Sequence, residues 1–477
     1  MAAETTTIVG SAADVAGVVN RLGANTRHAK MIVFIALGGV FLDAYDLTSL
    51  AYGETDVARE FGLGPAGLGI VVASISFGVL FGSFFGGWLA DRIGRYRVFM
   101  ADMFFFVLAA IGAACAVNAE MLVFFRFVMG IGVGMDLPVA MAFLAEFSRL
   151  RGRRGKSDRT AAWCPAWYAA TSACYLLILG LYAVLPVEQH GLLWRFAVGF
   201  GALPALLIIL VRKRYISESP SWAANQGDLE GAARILRDTY GLVVEARPDE
   251  SAGTVAPPRG YRELFRGVYR RRTLQNLVVC AAQNFGYNSV AFGLPVIIST
   301  FLAQGSLTTI IASLLLNVAF AFTGGLFGIT FSRRLGAWPM TLIGFAAQLL
   351  AFVTLALIGT PTSTVAIVAA LAMLGLYLFA QGSGPGANLM TFAALSYPTS
   401  LRGTGVGFSR GSDAIATAVT LFLFPVLSSA LSTGVFWVIA IAPVLGAAAL
   451  LIGRWEPVGH DADAESAHPD PVSQEVR

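Results

Sequence analysis

The sequence contains little charge for its length. Only 13% of its 477 residues are Asp, Glu, Lys or Arg, whereas 56% are hydrophobic and the mean hydropathy is +0.69. Soluble globular domains carry about 25% charged residues. The composition therefore excludes an ordinary soluble domain and indicates an integral membrane protein.

Cysteine and histidine are also scarce, with four residues of each type. The cysteines lie in apolar runs without metal-ligand spacing, so we expect buried thiols and neither a disulfide framework nor a metal site. The chain has no membrane-embedded His or Cys cluster, no nucleotide-binding loop, no nucleophile motif and no appended signalling domain. We therefore expect no cofactor, and we disfavour both a membrane enzyme and a sensor that does not transport. The four cysteines are Cys115, Cys164, Cys174 and Cys280.

Long apolar runs are abundant. A bilayer core about 30 Å thick needs roughly 20 apolar residues per spanning helix. The alternation of a β-barrel is absent, so the sequence predicts an all-α membrane protein. We predict twelve transmembrane helices, at 31–53, 66–90, 98–117, 121–146, 161–185, 195–211, 274–302, 307–330, 339–358, 364–390, 404–428 and 434–453.

A polar stretch divides these runs into two sets of six, which is the layout of two pseudo-symmetric six-helix bundles joined by a linker. Within the linker, Gly227 to Gly241 predicts a short amphipathic helix, with a solvated tether as the alternative. The predicted segments are a flexible cytoplasmic N-terminus at 1–30, a first bundle at 31–211, a cytoplasmic linker with short helices at 212–273, a second bundle at 274–454 and a flexible cytoplasmic tail at 455–477.

Lys and Arg are concentrated on one set of loops, such as Arg92 to Arg97, Arg149 to Arg159 and the stretch from Arg212 to Arg272. Positively charged loops remain inside, so we expect both termini and the linker to be cytoplasmic in a multi-pass protein of the cell or inner membrane. The net charge of +4 reflects this topology and anionic lipid headgroups, and it does not indicate nucleic acid. We expect a monomer.

The motif "GGWLADRIGRYR" follows the second predicted helix. Its ordered set of Gly87, Asp91, Arg92, Gly94 and Arg95 resembles the loop between helices 2 and 3 of the major facilitator superfamily. Gly87 would allow close helix approach, Gly94 a tight turn, and Asp91 with the arginines a charge network. The resemblance implies a conformational latch. The equivalent "GITFSRRLGAWP" lacks the acid, so the second copy is degenerate.

Four further motifs resemble the sugar-porter-like branch of that superfamily. They are "RFVMGIGVGMDLP", "WRFAVGFGALP", "SESPSW" and, in helix 7, "AQNFGYNSVAFG". The last implies that Gln283, Asn288 and Phe292 face the substrate cavity; the alternative is that the amides only join helices. "DAYDL" and "GMDLP" resemble proton-coupled phosphate and aromatic-acid symporters instead, although helix 7 lacks the Trp, Asp and Tyr set expected of phosphate carriers.

Two aspartates, Asp43 and Asp46, lie three residues apart in the first predicted helix. A carboxylate at mid-bilayer costs about 2.5 to 3.5 kcal/mol on insertion scales, and two adjacent carboxylates disfavour joint ionisation. The pair therefore predicts proton coupling. Resemblance to proton-linked sugar porters pairs Asp46 with Arg126, which protonation would release; a permanent ion pair is the alternative. Asp136 is a second proton site or a substrate contact.

Two features of the second half indicate the substrate path. The tenth predicted helix, 364–390, is interrupted by Gly384, Pro385 and Gly386. Broken helices near the midplane usually line such paths. Asn388 is therefore a predicted ligand contact. In helix 11, Arg410 and Asp413 are three residues apart and predict a neutralising pair more than a substrate contact, although Arg410 remains a candidate anion site.

Together these patterns predict a secondary transporter that imports a small polar metabolite with protons by alternating access. A sugar or polyol is the first candidate substrate. A proton-coupled aromatic or other organic acid symporter and an uncoupled facilitator are the alternatives.

Overall fold

The computed structural model describes residues 6–23, 26–50, 53–150, 155–247, 260–302 and 306–467. The side chains at 54–55, 65, 291–302, 306, 308–310, 422, 424–426, 428–430 and 466–467 lie outside the described part.

The first half contains ten helices in the described ranges. They are α1 (Ala12–Leu22), α2 (Arg27–Ser49), α3 (Glu54–Glu60), α4 (Pro65–Ile93), α5 (Arg95–Ala114), α6 (Ala119–Glu146), α7 (Lys156–Ala161), α8 (Trp163–Val184), α9 (Leu193–Phe200) and α10 (Ala202–Tyr215). A 3-10 turn, Val187–Leu192, precedes α9. The connecting segment contains α11 (Pro220–Asn225), α12 (Leu229–Tyr240) and a 3-10 turn, Tyr261–Phe265.

The second half is again helical. It consists of α13 (Gly267–Leu302), α14 (Ser306–Leu316), α15 (Thr323–Leu335), α16 (Ala337–Ile358), α17 (Thr364–Ser383), α18 (Pro385–Leu395), α19 (Thr399–Leu431), α20 (Val435–Ile439), α21 (Ile441–Gly453) and α22 (Ala462–Ala467). A π-helical turn, Asn317–Phe322, joins α14 to α15, and a 3-10 turn, Ser432–Gly434, precedes α20.

Ten of the predicted spans coincide with helical segments that are long and apolar enough to cross a membrane within the described residues. The other two predictions, 274–302 and 404–428, fall within α13 and α19, which have 36 and 33 residues. At about 1.5 Å per residue, either helix exceeds the bilayer core in length. The prediction of an all-α membrane protein is confirmed.

Glycines allow α4 to pack closely on both halves of the chain. A Cβ at Gly78 would lie 2.1 Å from the Phe127 carbonyl oxygen on α6, and a Cβ at Gly87 would lie 2.3 Å from the Gly403 carbonyl oxygen on α19. Any larger residue at either position would force the helices apart. The predicted close approach at Gly87 is confirmed.

The face that carries the arginine-rich loops, including Arg97 and Arg214, is called the basic face. Here β1 (Thr7–Val9) pairs in parallel with β2 (Val244–Ala246). Helix α1 begins with a capping box between Ser11 and Asp14, so the segment predicted to be flexible contains a strand and a helix. Local capping and apolar contacts explain why this segment is structured, because Val15, Val18 and Val19 on α1 are buried.

The linker helix predicted at 227–241 is confirmed as α12. Asp228 caps its start by accepting the backbone N–H of Gly231 at 2.7 Å, and Gly241 ends it with a φ of +68°. Ala232, Ala233 and Leu236 form its buried side.

Candidate functional site

A cavity lies between the two halves of the chain. It encloses about 970 Å³ of space free of protein atoms, part of which is open to solvent. The lining residues are Leu47, Thr48, Leu50, Val72, Ile75, Ser76, Val79, Arg126, Trp167, Thr171, Tyr175, Asn284, Tyr287, Asn288, Arg410, Ala414, Thr417 and Leu421.

The polar lining combines amides, aromatic rings and two guanidinium groups. Asn288, a predicted site residue, donates from Nδ2 to Thr417 Oγ1 at 3.0 Å. Trp167 Nε1 donates to the Tyr287 hydroxyl at 3.1 Å. Arg126 and Arg410 line this cavity, whereas no Asp or Glu occurs among its described lining residues.

A smaller chamber continues from the cavity and shares Trp167, Asn284 and Tyr287 with it. Gln283 lines this chamber, and its side-chain oxygen has no hydrogen-bond partner among the described residues. Arg410 lines both spaces and forms an ion pair with Asp413, as the spacing predicts. Gln283 and Asn288 thus line neighbouring spaces that share lining residues, whereas the side chain of Phe292 lies outside the described residues.

The predicted break in the span 364–390 is confirmed at Gly384, which separates α17 from α18 with φ and ψ of −110° and −100°. Asn388, however, is not among the described residues that line either space. Its side chain is fully buried and donates to the Gly384 carbonyl oxygen at 3.0 Å. The Gly384 carbonyl oxygen thus accepts from both the backbone N–H, at 3.1 Å, and the side chain of Asn388. In this conformation the side chain does not face the cavity.

Asp46 and Arg126 are neighbours, but they do not form the predicted ion pair directly. Arg126 Nη1 donates to the backbone carbonyl of Asp46 at 3.2 Å. Both carboxylate oxygens of Asp46 are buried without a hydrogen-bond partner in the described part of the chain. The two side chains still interact electrostatically. The guanidinium lies toward the cavity, which explains why the contact is with the main chain.

Asp43 and Asp136 belong to a second buried group. Arg212 donates to Asp136 Oδ1 at 2.5 Å and to Asp102 Oδ1 at 2.7 Å, and Asp43 interacts electrostatically with Asp136, Asp102 and Arg410. The carboxylates of Asp43 and Asp136 are absent from the described cavity lining, so the structure does not place Asp136 at a substrate contact. Sequence reasoning did not identify Asp102 and Arg212. The available signal was Asp102 itself, an acidic residue inside the apolar run 98–117.

The predicted latch residues lie at the basic face, where α4 meets the start of α19. Asp91 accepts the backbone N–H groups of Gly403 at 3.1 Å and Thr404 at 2.6 Å, and Arg95 lies 3.0 Å from its carboxylate. These contacts join the two halves of the chain. Arg92 is exposed, and its described contact is a cation–π interaction with Trp88 at 4.2 Å.

Glu146 and Arg402 extend this charge network, although sequence reasoning did not identify them. Glu146 accepts from Arg95 at 3.2 Å and from Arg402 at 3.1 Å. Arg402 also pairs with Asp463, which follows the last membrane helix, at 3.1 Å. Glu146 ends the predicted span 121–146 and Arg402 precedes the predicted span 404–428, so only the fold reveals their proximity.

Glu218 and Asp463 are acidic residues outside the membrane spans whose pKa values are altered. Burial raises the pKa of Glu218, whose carboxylate accepts the backbone N–H groups of Arg95 at 3.0 Å and Tyr96 at 3.2 Å. Burial also acts to raise the pKa of Asp463, but the neighbouring charges of Arg402 and Lys156 hold it below its ordinary value.

Comparison with known proteins gives one family and several relatives. Residues 31–463 match the family described as sugar (and other) transporter. The chain is 29% identical over 433 residues, 90% of each chain, to the inner membrane metabolite transport protein YgcS of Escherichia coli (strain K12). It is 28% identical over 291 residues, 59% of this chain and 62% of the other, to the niacin transporter NiaP of Acinetobacter baylyi.

Solved structures show the same fold. The proton:xylose symporter XylE bound to 6-bromo-6-deoxy-D-glucose superposes with a TM-score of 0.78 at 19% sequence identity, covering 92% of this chain and 98% of that chain. A partially occluded inward-open conformation of XylE from E. coli superposes with a TM-score of 0.71 at 18% identity, covering 91% and 100%.

Proposed function

The chain belongs to the sugar (and other) transporter family, and on that premise we propose that it imports a small polar metabolite together with protons. It is a multi-pass membrane transporter of the major facilitator superfamily, and not an enzyme. The proposed cycle is alternating access, in which the two halves expose the central cavity to one side of the membrane and then to the other.

The observation that carries the proposal is a cavity between the halves combined with closure at one end. The cavity is partly open to solvent, whereas contacts from Asp91 to Gly403 and Thr404 hold α4 against α19 at the basic face. Thr160 on α7 and Thr391 on α18 add a contact of 2.9 Å between the halves. Opening at the basic face requires these contacts to break, which is the motion expected of alternating access.

Buried carboxylates outside the cavity support proton coupling. Asp43 and Asp46 are completely buried, and the four carboxylate oxygens have no hydrogen-bond partner in the described ranges. An ionised carboxylate in that setting is costly, so proton binding stabilises it. Asp46 lies beside Arg126, which lines the cavity. Protonation of Asp46 would therefore change the electrostatic potential at the substrate.

A sugar or polyol is the first candidate substrate. Family membership supports it, and XylE, which shares the fold, is a proton:xylose symporter. The amides of Asn284 and Asn288 line the cavity, and amides can donate to and accept from hydroxyl groups. Trp167 and Tyr287 supply aromatic surface on which a sugar ring could rest.

An organic anion is the second candidate, because two guanidinium groups and no described carboxylate line the cavity. Guanidinium groups bind carboxylates with bidentate geometry. Protonation of Asp46 would remove a negative charge near Arg126 and so favour an anionic substrate, which would couple the two ligands electrostatically. The relative NiaP is described as a niacin transporter, and niacin is an aromatic carboxylate.

The test is uptake by purified protein in liposomes. Radiolabelled sugars, polyols and carboxylates, with D-xylose and niacin among them, are presented with and without an inward proton gradient. We expect one class to accumulate only when the gradient is present. Equilibration without accumulation would identify an uncoupled facilitator, and absence of flux across the whole panel would contradict this function.

A further inference from the structure

Four charged side chains lie near one another inside the first half, on four different helices. Asp43 lies on α2, Asp102 on α5, Asp136 on α6 and Arg212 on α10, and each is completely buried. The guanidinium joins two of the acids, at 2.7 Å to Asp102 and 2.5 Å to Asp136. It also donates to the Phe99 carbonyl oxygen and lies 3.3 Å from the centroid of the Phe99 ring.

The charges in this group do not balance when every acid is ionised. Three carboxylates and one guanidinium would give a net charge of −2, and burying uncompensated charge costs several kcal/mol per ion. Neutrality requires protons on two of the three acids. Asp102 and Asp136 each keep one oxygen that does not bond to Arg212 and has no hydrogen-bond partner in the described part of the chain. Each acid can therefore hold a proton without leaving the guanidinium.

A glycine brings the acid pair against α2. A Cβ at Gly39 would lie 2.3 Å from Asp136 Oδ2 and 2.7 Å from Arg212 Nη2, so a side chain there would displace both groups. Gly39 is one turn, about 6 Å, from Asp43 on the same helix. Asp46 lies one further turn away, beside Arg126. The acids therefore form a series that starts next to the cavity and leads toward the basic face.

Charged groups from several helices face this series. Asp102 faces Arg212 and Asp136, with Asp43 farther away. Asp43 also interacts with Asp46 on its own helix and with Arg410 on α19. Arg410 belongs to the second half, so movement of that half would alter the potential at Asp43. None of the four acids is among the described residues that line the cavity.

We infer that Asp102 is a further proton-carrying residue, and that Arg212 is the positioning residue that holds it beside Asp136. The inference rests on the proposed proton coupling. Both carboxylate oxygens of Asp43 have no hydrogen-bond partner in the described part of the chain, so transfer to an ionised Asp136 requires a bridging water molecule or a movement of α2; the Asp43 O–H bond then breaks as an O–H bond forms on Asp136. Asp136 then passes a proton to Asp102, and because Asp102 is completely buried, its release at the basic face requires the contacts there to open. The proton route thus leaves the cavity while the substrate remains in it.

The competing explanation is that Asp102, Asp136 and Arg212 form a permanent structural contact that exchanges no protons. Infrared spectroscopy distinguishes this explanation from proton transfer and needs no substrate. Purified protein is titrated from mildly acidic to alkaline pH, and the C=O stretching band of protonated carboxyl groups is followed. We expect Asp102→Asn to remove one titrating component, Asp102→Glu to shift its frequency, and the exposed linker control Asp238→Asn to leave the spectrum unchanged. Identical titrating bands in wild type and Asp102→Asn would overturn the inference.

Arg212→Gln provides a second test if Asp102→Asn does not fold. Loss of the positive charge removes the interaction that favours ionised carboxylates, so we expect the protonated band to grow and to persist to higher pH. An unchanged band would show that the acids do not exchange protons.

The flux assay keeps the two proposals separate. If wild type shows the titrating band but does not respond to a proton gradient, the proposed symport fails. If wild type accumulates substrate with the gradient and Asp102→Asn accumulates it equally, the symport stands and the proton route through Asp102 fails.

Discussion

Glu218 and Glu456 make the same contact in the two halves of the chain. Glu218 accepts the backbone N–H groups of Arg95 and Tyr96 at 3.0 and 3.2 Å, and Glu456 accepts those of Ala337 and Trp338 at 3.0 and 2.9 Å. Each acid follows the last membrane helix of its half and satisfies the free N–H groups at the start of a helix in that half. The second copy, whose motif lacks the acid of the latch, has retained this cap.

Gly94→Val tests the cap of the first half. Gly94 has a φ of +108°, and a Cβ there would lie 2.3 Å from Glu218 Oε2. We expect a loss of stability above the roughly 1 to 3 kcal/mol that a sparsely populated backbone conformation costs, and slower transport with substrate binding retained. Thermal unfolding and flux measure the two effects.

Gly62→Val is the matched control. Gly62 has a φ of +63° and no atom within 4 Å of its Cβ position, so it reports backbone strain alone. Equal destabilisation of the two variants would show that Glu218 contributes nothing to the cap.

Asp91→Asn tests the latch. The amide loses the ion pair with Arg95 and weakens the contacts to Gly403 and Thr404, so closure at the basic face should lose about 1 to 3 kcal/mol. Distances between spin labels on the two halves at that face should shift toward open populations. Substrate binding should survive, and Asp238→Asn should leave the distances unchanged. An unaltered distance distribution in Asp91→Asn would remove its latch role.

Asn288→Ala and Gln283→Ala test the substrate contacts. Asn288 lines the cavity and Gln283 lines the adjoining chamber. Each truncation should weaken equilibrium binding of the transported compound by about 1 to 3 kcal/mol, because a polar partner is lost. Asn225→Ala serves as the control, since Asn225 lies in the linker and donates to the Ser221 carbonyl oxygen at 2.7 Å. Unchanged affinity in folded variants would assign both residues to packing.

Asp463→Asn tests the tail that follows the second half. Arg402 and Lys156 outweigh the effect of burial and hold the pKa of Asp463 below its ordinary value of 3.8. A lowered folded-state pKa stabilises the protein above the unfolded-state value, and the stabilisation is lost as pH falls through the folded-state value. At neutral pH we expect Asp463→Asn to unfold at a lower temperature than wild type, and the difference to shrink as pH falls below about 4. A difference that does not depend on pH would contradict this electrostatic role.

Features that follow from local patterns could be predicted from the sequence. Apolar runs predict the helices, Gly384 before Pro385 predicts the break between α17 and α18, and the Asp91 motif predicts the charge network at the basic face. The latch role of that network stays a prediction. Residues that act through distant partners could not be found in this way. The apolar run ends at 211 and so places Arg212 in the linker, although α10 continues to Tyr215 and carries the guanidinium to Asp102.

The direction of a side chain is a second feature that the sequence does not predict. The spacing of motifs brings Asp46 near Arg126, but it does not determine whether the guanidinium meets the carboxylate or the main chain. The same limit explains Asn388, which turns back to the carbonyl oxygen of Gly384. A position in a helix predicts depth in the membrane, whereas the contact depends on the packing of neighbouring helices.

Asp46→Asn tests proton coupling directly. The amide is nearly isosteric with the protonated carboxyl group but cannot carry a proton from one side of the membrane to the other. The hydrogen bond from Arg126 goes to the main-chain carbonyl of residue 46, so it should survive the substitution. We therefore expect a folded variant that has lost accumulation against a gradient.

Exchange should survive in this variant, because replacing one bound substrate molecule by another requires no net proton movement. Purified Asp46→Asn in liposomes, with labelled substrate outside, unlabelled substrate inside and an imposed proton gradient in parallel vesicles, measures both activities. Asp238→Asn should retain accumulation as well as exchange. If Asp46→Asn still concentrates substrate with an unaltered pH dependence, Asp46 does not couple the proton to transport, and the role passes to Asp43 or Asp136, whose carboxylates lie farther along the same buried series.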